Sequence, residues 1–89
     1  MKLYTPLSDE EATQAERGEY LPQSLFWVDR PDPGEAMDDA IWVEIEISSS
    51  EAQKFERPLR AELGYREFEL PWEVASRHRA VRTVLPGKR

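Results

Sequence analysis

The stretch that most constrains the fold is AIWVEIEI, residues 40–47. Ile41, Val43, Ile45 and Ile47 alternate with Trp42, Glu44 and Glu46. A period of two is the period of a β-strand, in which successive side chains point to opposite faces. One face here is wholly aliphatic and the other mostly acidic. That pattern belongs to an antiparallel sheet with one face on a core and the other toward water. Trp42 is the exception, because alternation sets it with the glutamates. It packs under an element on the second face, or it forms part of an exposed site.

The rest of the chain supplies partners for this strand. Residues 3–7 read as an opening strand, and Pro6 places that strand at an edge or places itself near the strand's end. Ser8 and Glu11 have capping-box spacing, and Asp9, Glu10 and Glu11 fall in a first turn where the helix dipole favours acids. Ala12 and Ala15 give that helix a small apolar side, and Gly18 is a stop of the C′ type. Residues 24–28 (SLFWV) read as a short strand, 31–34 as a loop, and 35–40 as one or two helical turns. Ser48 and Glu51 repeat the capping spacing before a second helix that carries Ala52 and Phe55 and ends at Pro58. Residues 59–63 extend the next strand or pair with it, with Gly64 as a bulge or turn. Residues 65–70 alternate Tyr65, Glu67 and Glu69 with Arg66, Phe68 and Leu70. They stop at Pro71, which has no N–H for a ladder. A helical turn over 72–78, a last strand over 80–85 and a frayed end at 86–89 complete the chain. The fold class is α+β, a small mostly antiparallel sheet with two short helices in a single domain, 1–89.

Composition narrows the setting. Charged residues make up 34% of the chain and hydrophobic ones 39%, yet three Trp, three Tyr and three Phe lie within patterned segments. Disordered chains usually lack such aromatic content. There is no cysteine, so disulfides, thiolate chemistry and Cys-ligated zinc are excluded. No apolar run approaches a membrane span. The expectation is a soluble cytoplasmic protein with no membrane partner.

The charge is lopsided. Residues 1–53 carry thirteen acids and three bases, and residues 54–89 carry nine bases and five acids, so −10 and +4 add to the net −6. The plain reading is that the two halves complement each other in the fold. The sharper one is an acidic surface that meets a basic protein. Nucleic acid is not expected, since phosphate binding needs a basic footprint.

Few constellations carry chemistry. Asp29, Asp32, Asp38 and Asp39 are oxygen ligands, but their spacing is not that of an EF-hand, and a solvated acidic loop is the expectation. His78 lies between Arg77 and Arg79 and reads as a surface or boundary residue. No phosphate-binding loop, dinucleotide glycine pattern or HExxH occurs, and no metal site is expected. Trp27, Trp42, Tyr65, Phe68 and Trp72 line a core or a pocket.

The run Glu67-Phe68-Glu69-Leu70-Pro71 resembles the last conserved strand of ADP-ribosyltransferase-like domains, in which a glutamate is followed by apolar residues and a proline. An opening strand with Tyr4, a helix ending near Gly18 and Tyr20, then FWVD and VEIEI, extend the resemblance over about two-thirds of the chain. It implies that Glu67 is the catalytic glutamate that contacts the nicotinamide ribose of NAD. The Arg or His with which the family holds its cofactor is missing from the opening strand, where Tyr4 stands near that place. The Ser-Thr-Ser motif has no counterpart. A shared fold without the activity, and without a cofactor, is therefore the expectation.

The reading at this level is a binding or accessory module with Tyr4, Trp42 and Tyr65 as binding candidates. One alternative is an NAD-dependent ADP-ribosyltransferase-like enzyme acting through Glu67. Another is an acidic inhibitor or immunity-type protein that covers a basic partner.

Overall fold

A computed structural model describes residues 1–19, 25–30, 40–58 and 64–83, Trp72 by its backbone alone. The elements are β1 (Lys2–Leu7), α1 (Asp9–Glu16), β2 (Leu25–Val28), β3 (Ile41–Glu46), α2 (Ser49–Gln53), β4 (Glu67–Leu70), α3 (Trp72–Ala75) and β5 (Val81–Thr83). The strands form one five-stranded sheet in the order β4-β2-β1-β3-β5. Every neighbouring pair in it is antiparallel. With three short helices this is a small α+β fold. The third helix is the single turn that follows Pro71.

The helix ends follow from local chemistry. Ser8 caps α1: its hydroxyl accepts from the Glu11 N–H at 3.2 Å, and the Glu11 carboxylate accepts from the Ser8 N–H at 3.0 Å. Both halves of the capping box are therefore made. At the other end Gly18 takes a φ of 75°, a backbone state that glycine adopts without a Cβ penalty. The Gly18 N–H reaches the Ala15 carbonyl and the Glu19 N–H reaches the Gln14 carbonyl, the paired bonds of a Schellman stop. Replacing Ser8 with alanine should cost about 1 kcal/mol, because one N–H loses its acceptor. Amide exchange at Glu10 and Glu11 reads this directly, and unchanged protection there would remove the cap from the account.

Only half of the second expected box forms. Ser48 accepts from the Glu51 N–H at 3.2 Å. The Glu51 carboxylate does not return to Ser48 but meets His78 Nε2 at 2.8 Å. A partner 27 positions away has taken the group that local spacing assigned to the cap. The helix also ends before Pro58, at the Lys54 C-cap. Past that point the backbone turns to the sheet. The Glu69 N–H donates to the Phe55 carbonyl at 2.9 Å, and the Arg57 N–H to the Glu67 carbonyl at 2.8 Å. Residues 55–57 thus run along β4 and shield an edge that would otherwise offer bare N–H and C=O groups.

The expectation for Pro6 resolves in favour of the strand end. β1 is the central strand of the five, and Pro6 is its second-last residue. Pro6 brings no N–H to the ladder. Alongside it, the buried Thr5 hydroxyl donates to the Phe26 carbonyl at 2.9 Å and ties β1 to β2. The strand expected over 65–70 begins at Glu67, because the Asp29 carboxylate takes the Arg66 N–H at 2.7 Å in place of a ladder acceptor. The loop expected at 31–34, the turns at 35–39, the segment 59–63 and the end at 86–89 lie outside the described residues.

The core sits on one face of the sheet. Leu3 and Leu7 of β1, Val43 and Ile45 of β3, Trp27 of β2, and Phe68 and Leu70 of β4 are buried together. The helices add Ala12, Ala15, Ala52 and Ala75. The bulk of this core therefore comes from strands, and small alanines let the helices lie close on top. Ile47 joins the cluster and Ile41 packs against it, so the aliphatic side of residues 40–47 is the core side. No helix among the described residues is long and apolar enough to cross a membrane.

The lopsided charge closes on itself at one place. Arg82 of β5 reaches α1, with Nε on Glu16 at 2.7 Å, Nη1 on Asp9 at 2.8 Å and Nη2 on the Thr13 hydroxyl at 2.8 Å. Asp9, Thr13 and Glu16 lie along one stripe of the helix. A base from the basic half thereby neutralises acids of the acidic half, as the plain reading of the charge expected.

Candidate functional site

The second face of the sheet carries most of the candidate residues. The register sets one row of side chains across all five strands. Glu67 of β4 stands opposite Val28 of β2, Val28 opposite Tyr4 of β1, Tyr4 opposite Glu44 of β3, and Glu44 opposite Val81 of β5. The next outward positions are Glu69, Phe26, Pro6, Trp42 and Thr83. An aromatic and aliphatic band thus crosses the face, with glutamates among it. Phe26 is 48% exposed and Val81 38%, the large exposed hydrophobic residues of the described chain, and both belong to this face.

Alternation explains how the residues divide. In LFWV, the inward side chain is Trp27, fully buried, so Phe26 must point the other way. In IWVEIE, Val43 and Ile45 are inward, so Trp42, Glu44 and Glu46 are outward. Trp42 is nonetheless only 6% exposed, and it stands apart from the core cluster. Among the described residues its indole N–H finds no acceptor, and neither does that of Trp27. A buried donor without a partner costs about 1–3 kcal/mol.

Among the described residues two cations lie on this face, each against a carboxylate. Arg57 Nη1 bonds Glu67 Oε1 at 2.8 Å, and the same guanidinium lies over the Phe26 ring, 4.9 Å from its centroid. Lys2 Nζ is 3.9 Å from Glu44 Oε2, with a side chain 56% exposed. The first pair is short and stacked. The second is at the limit of an ion pair. On the opposite, core side of β4, Arg66 lies over the Phe68 ring and grips both carboxylate oxygens of Glu56 at 2.9 and 2.7 Å, and that bonding holds the Glu56 carboxyl below its ordinary range.

Tyr4 feels its surroundings. Partial burial pushes its hydroxyl above the ordinary value of 10.0, the Glu44 charge pushes it further, and Lys2 offsets part of the rise. The proton is held more tightly in the folded chain, so the Tyr4 contribution is full below pH about 10 and fades as pH rises through the folded-state value. The difference in phenolate absorbance between the parent chain and Tyr4→Phe should show a midpoint above about 10. A midpoint at or below 10 would remove Glu44 and burial as the controlling influences.

The structure brings three of the four site residues expected from sequence onto one face. Tyr4, Trp42 and Glu67 share it, with Glu67 and Tyr4 two strands apart, about 10 Å. Tyr65 lies outside the ladder, ahead of β4, and is half-buried. Of the aromatic set, Trp27 and Phe68 are core and Trp42 is not. Sequence reading missed Phe26, Val28 and Arg57. Phe26 and Val28 sit in an unbroken apolar run, where alternation gives no sign of which side faces out. Arg57 is brought in by the pairing of residues 55–57 with β4, which no local pattern announces.

His78 is a boundary residue, as expected, and its Glu51 contact ties the segment after α3 to α2. Asp32, Asp38 and Asp39 lie outside the described residues. Among those described, no group of three or more acidic or histidine side chains is placed to hold a metal. A comparison with protein-family models finds no matching family, and comparisons with curated proteins and with solved structures find no match.

Proposed function

We propose that this chain is a binding module that engages a basic protein partner through the outward face of its sheet. The observation that carries the reading is the joint position of Phe26 and Val81. Among the described residues the large hydrophobic ones left exposed, Phe26 and Val81, fall on one face, at β2 and β5, with the half-buried Tyr4 on a strand between them. Exposed apolar side chains set among charges on one face are what protein partners cover. Glu44, Glu46, Glu67 and Glu69 give that face an acidic character, and such complementarity selects basic partners and speeds encounter. An inhibitor or immunity-type role is a special case of this reading, in which the partner's basic surface is its working surface.

The test compares capture by four chains. The parent should retain a partner from a cell extract that Phe26→Ser and Val81→Ser lose, while Glu10→Ser, on α1 at the other side of the sheet, keeps it. Retention should fall with added salt. Equal capture by all variants would overturn the reading.

The transferase-like alternative rests on Glu67 and Tyr4 sharing a face. In it, Glu67 stabilises positive charge developing at the ribose, and Arg57 must first leave that carboxylate. Addition of NAD is expected to leave the Tyr4 and Glu67 resonances in place. A saturable shift there would replace the module reading with an NAD-dependent one.

A further inference from the structure

We infer that Tyr4 and Glu44 form a seat for a cationic side chain of the partner, an arginine above all, which Lys2 fills only loosely. The inference rests on the binding role of the outward face and names what that face grips.

The face already contains a worked example. Arg57 lies over the Phe26 ring at 4.9 Å and bonds Glu67 at 2.8 Å. Its two components are an aromatic ring and a carboxylate on neighbouring strands. A guanidinium satisfies both at once, because it is flat, stacks on rings and forks onto carboxylates. Tyr4 and Glu44 repeat those components. They stand directly opposite each other on β1 and β3, which brings their Cβ atoms within about 5 Å.

The occupancy differs. At the Phe26 seat a guanidinium sits at short range. At the Tyr4 seat the local cation is a lysine, 3.9 Å from the carboxylate and more than half exposed. An ammonium on a flexible stem has no flat surface to lay on the ring and makes no fork. An arginine arriving from outside gains both contacts and displaces a weakly held ammonium. Burial is the larger cause of the upward push on the Tyr4 hydroxyl, and the Glu44 charge, the second cause, accords with a negative potential at this spot. Val81, opposite Glu44 and exposed, offers apolar surface for the stem of the incoming side chain.

The test uses the full chain, labelled for amide NMR, and a blocked hexapeptide alternating arginine and alanine. A matching peptide with citrulline in place of arginine keeps the shape and removes the charge. At low salt the arginine peptide should move the Tyr4, Glu44 and Val81 amides saturably, and the citrulline peptide should not. Glu44→Gln should weaken binding about fivefold, Glu10→Gln should leave it unchanged, and Lys2→Ala should strengthen it by freeing the seat. Should Glu44→Gln disturb the fold, the Lys2→Ala gain gives the same answer with opposite sign. Equal weakening by Glu44→Gln and Glu10→Gln would reduce the effect to general charge attraction and overturn the seat. Equal binding of the citrulline peptide at this face would also overturn the seat, while leaving the face as a binding surface. Absence of shifts at Tyr4 and Glu44 overturns it as well. The binding role itself stands or falls on the Phe26 and Val81 capture comparison.

Discussion

Replacing Phe68 with alanine is expected to remove about 3–5 kcal/mol from the unfolding free energy. The ring is fully buried, second only to Trp27 in volume among the side chains that are wholly inside. It stands opposite Trp27 on the neighbouring strand, so the two rings share the inner face of the β2–β4 pair. The neighbours that would have to close over a cavity are poorly able to do so. Trp27 is rigid, and the helical residues in the cluster are alanines with no longer side chain to extend. The Arg66 guanidinium, 5.2 Å from the ring centroid, also loses its seat. A chain of this size is held by roughly 5–13 kcal/mol in all. The variant should therefore melt at much lower urea and show a partly unfolded population without denaturant. A loss below about 1 kcal/mol would mean that β4 does not carry the core in the way described.

How much of this was legible beforehand depended on how local each cause was. The side assignment of Ile41, Val43, Ile45 and Ile47 needed only the strand period, and it holds. The Ser8 box and the Gly18 stop needed only spacing within one helix, and both form. Trp42 was placed outward by the same alternation. Elsewhere a distant group won. His78 claimed the Glu51 carboxylate that the local pattern gave to Ser48. Asp29 took the Arg66 N–H and shortened a strand. The backbone at Phe55 left its helix before Pro58 in order to pair with β4. Strand order was not readable at all, since nothing in β1 signals that it lies between β2 and β3. Without that order, Glu67, Val28, Tyr4, Glu44 and Val81 could not be seen as one row. The candidate residues Tyr4, Trp42 and Glu67 could therefore be named from the sequence, but their arrangement on one face could not. Arg57, the cation that shows what the face can hold, was invisible for the same reason.

The second large effect tests which side of β3 is which. Ile45→Ala should cost about 2–4 kcal/mol, because the side chain is almost wholly buried and its removal leaves space between Leu3 and the alanine-lined helices. Glu46→Ala, one residue on and exposed, should stay within about 0.5 kcal/mol. The pair works as a single measurement of register. A one-residue slip of β3 would exchange the two faces and carry Ile45 to water. It would also move Glu44 from opposite Tyr4 to the core side, and no seat would exist there. Denaturant melts of both variants decide this. A loss under about 0.5 kcal/mol for Ile45→Ala would break the strand assignment, and with it the outward row on which the proposed binding face is built. The expected contrast, a severe loss beside a near-neutral one, would place Glu44 on the solvent side of β3 by a route independent of any ligand.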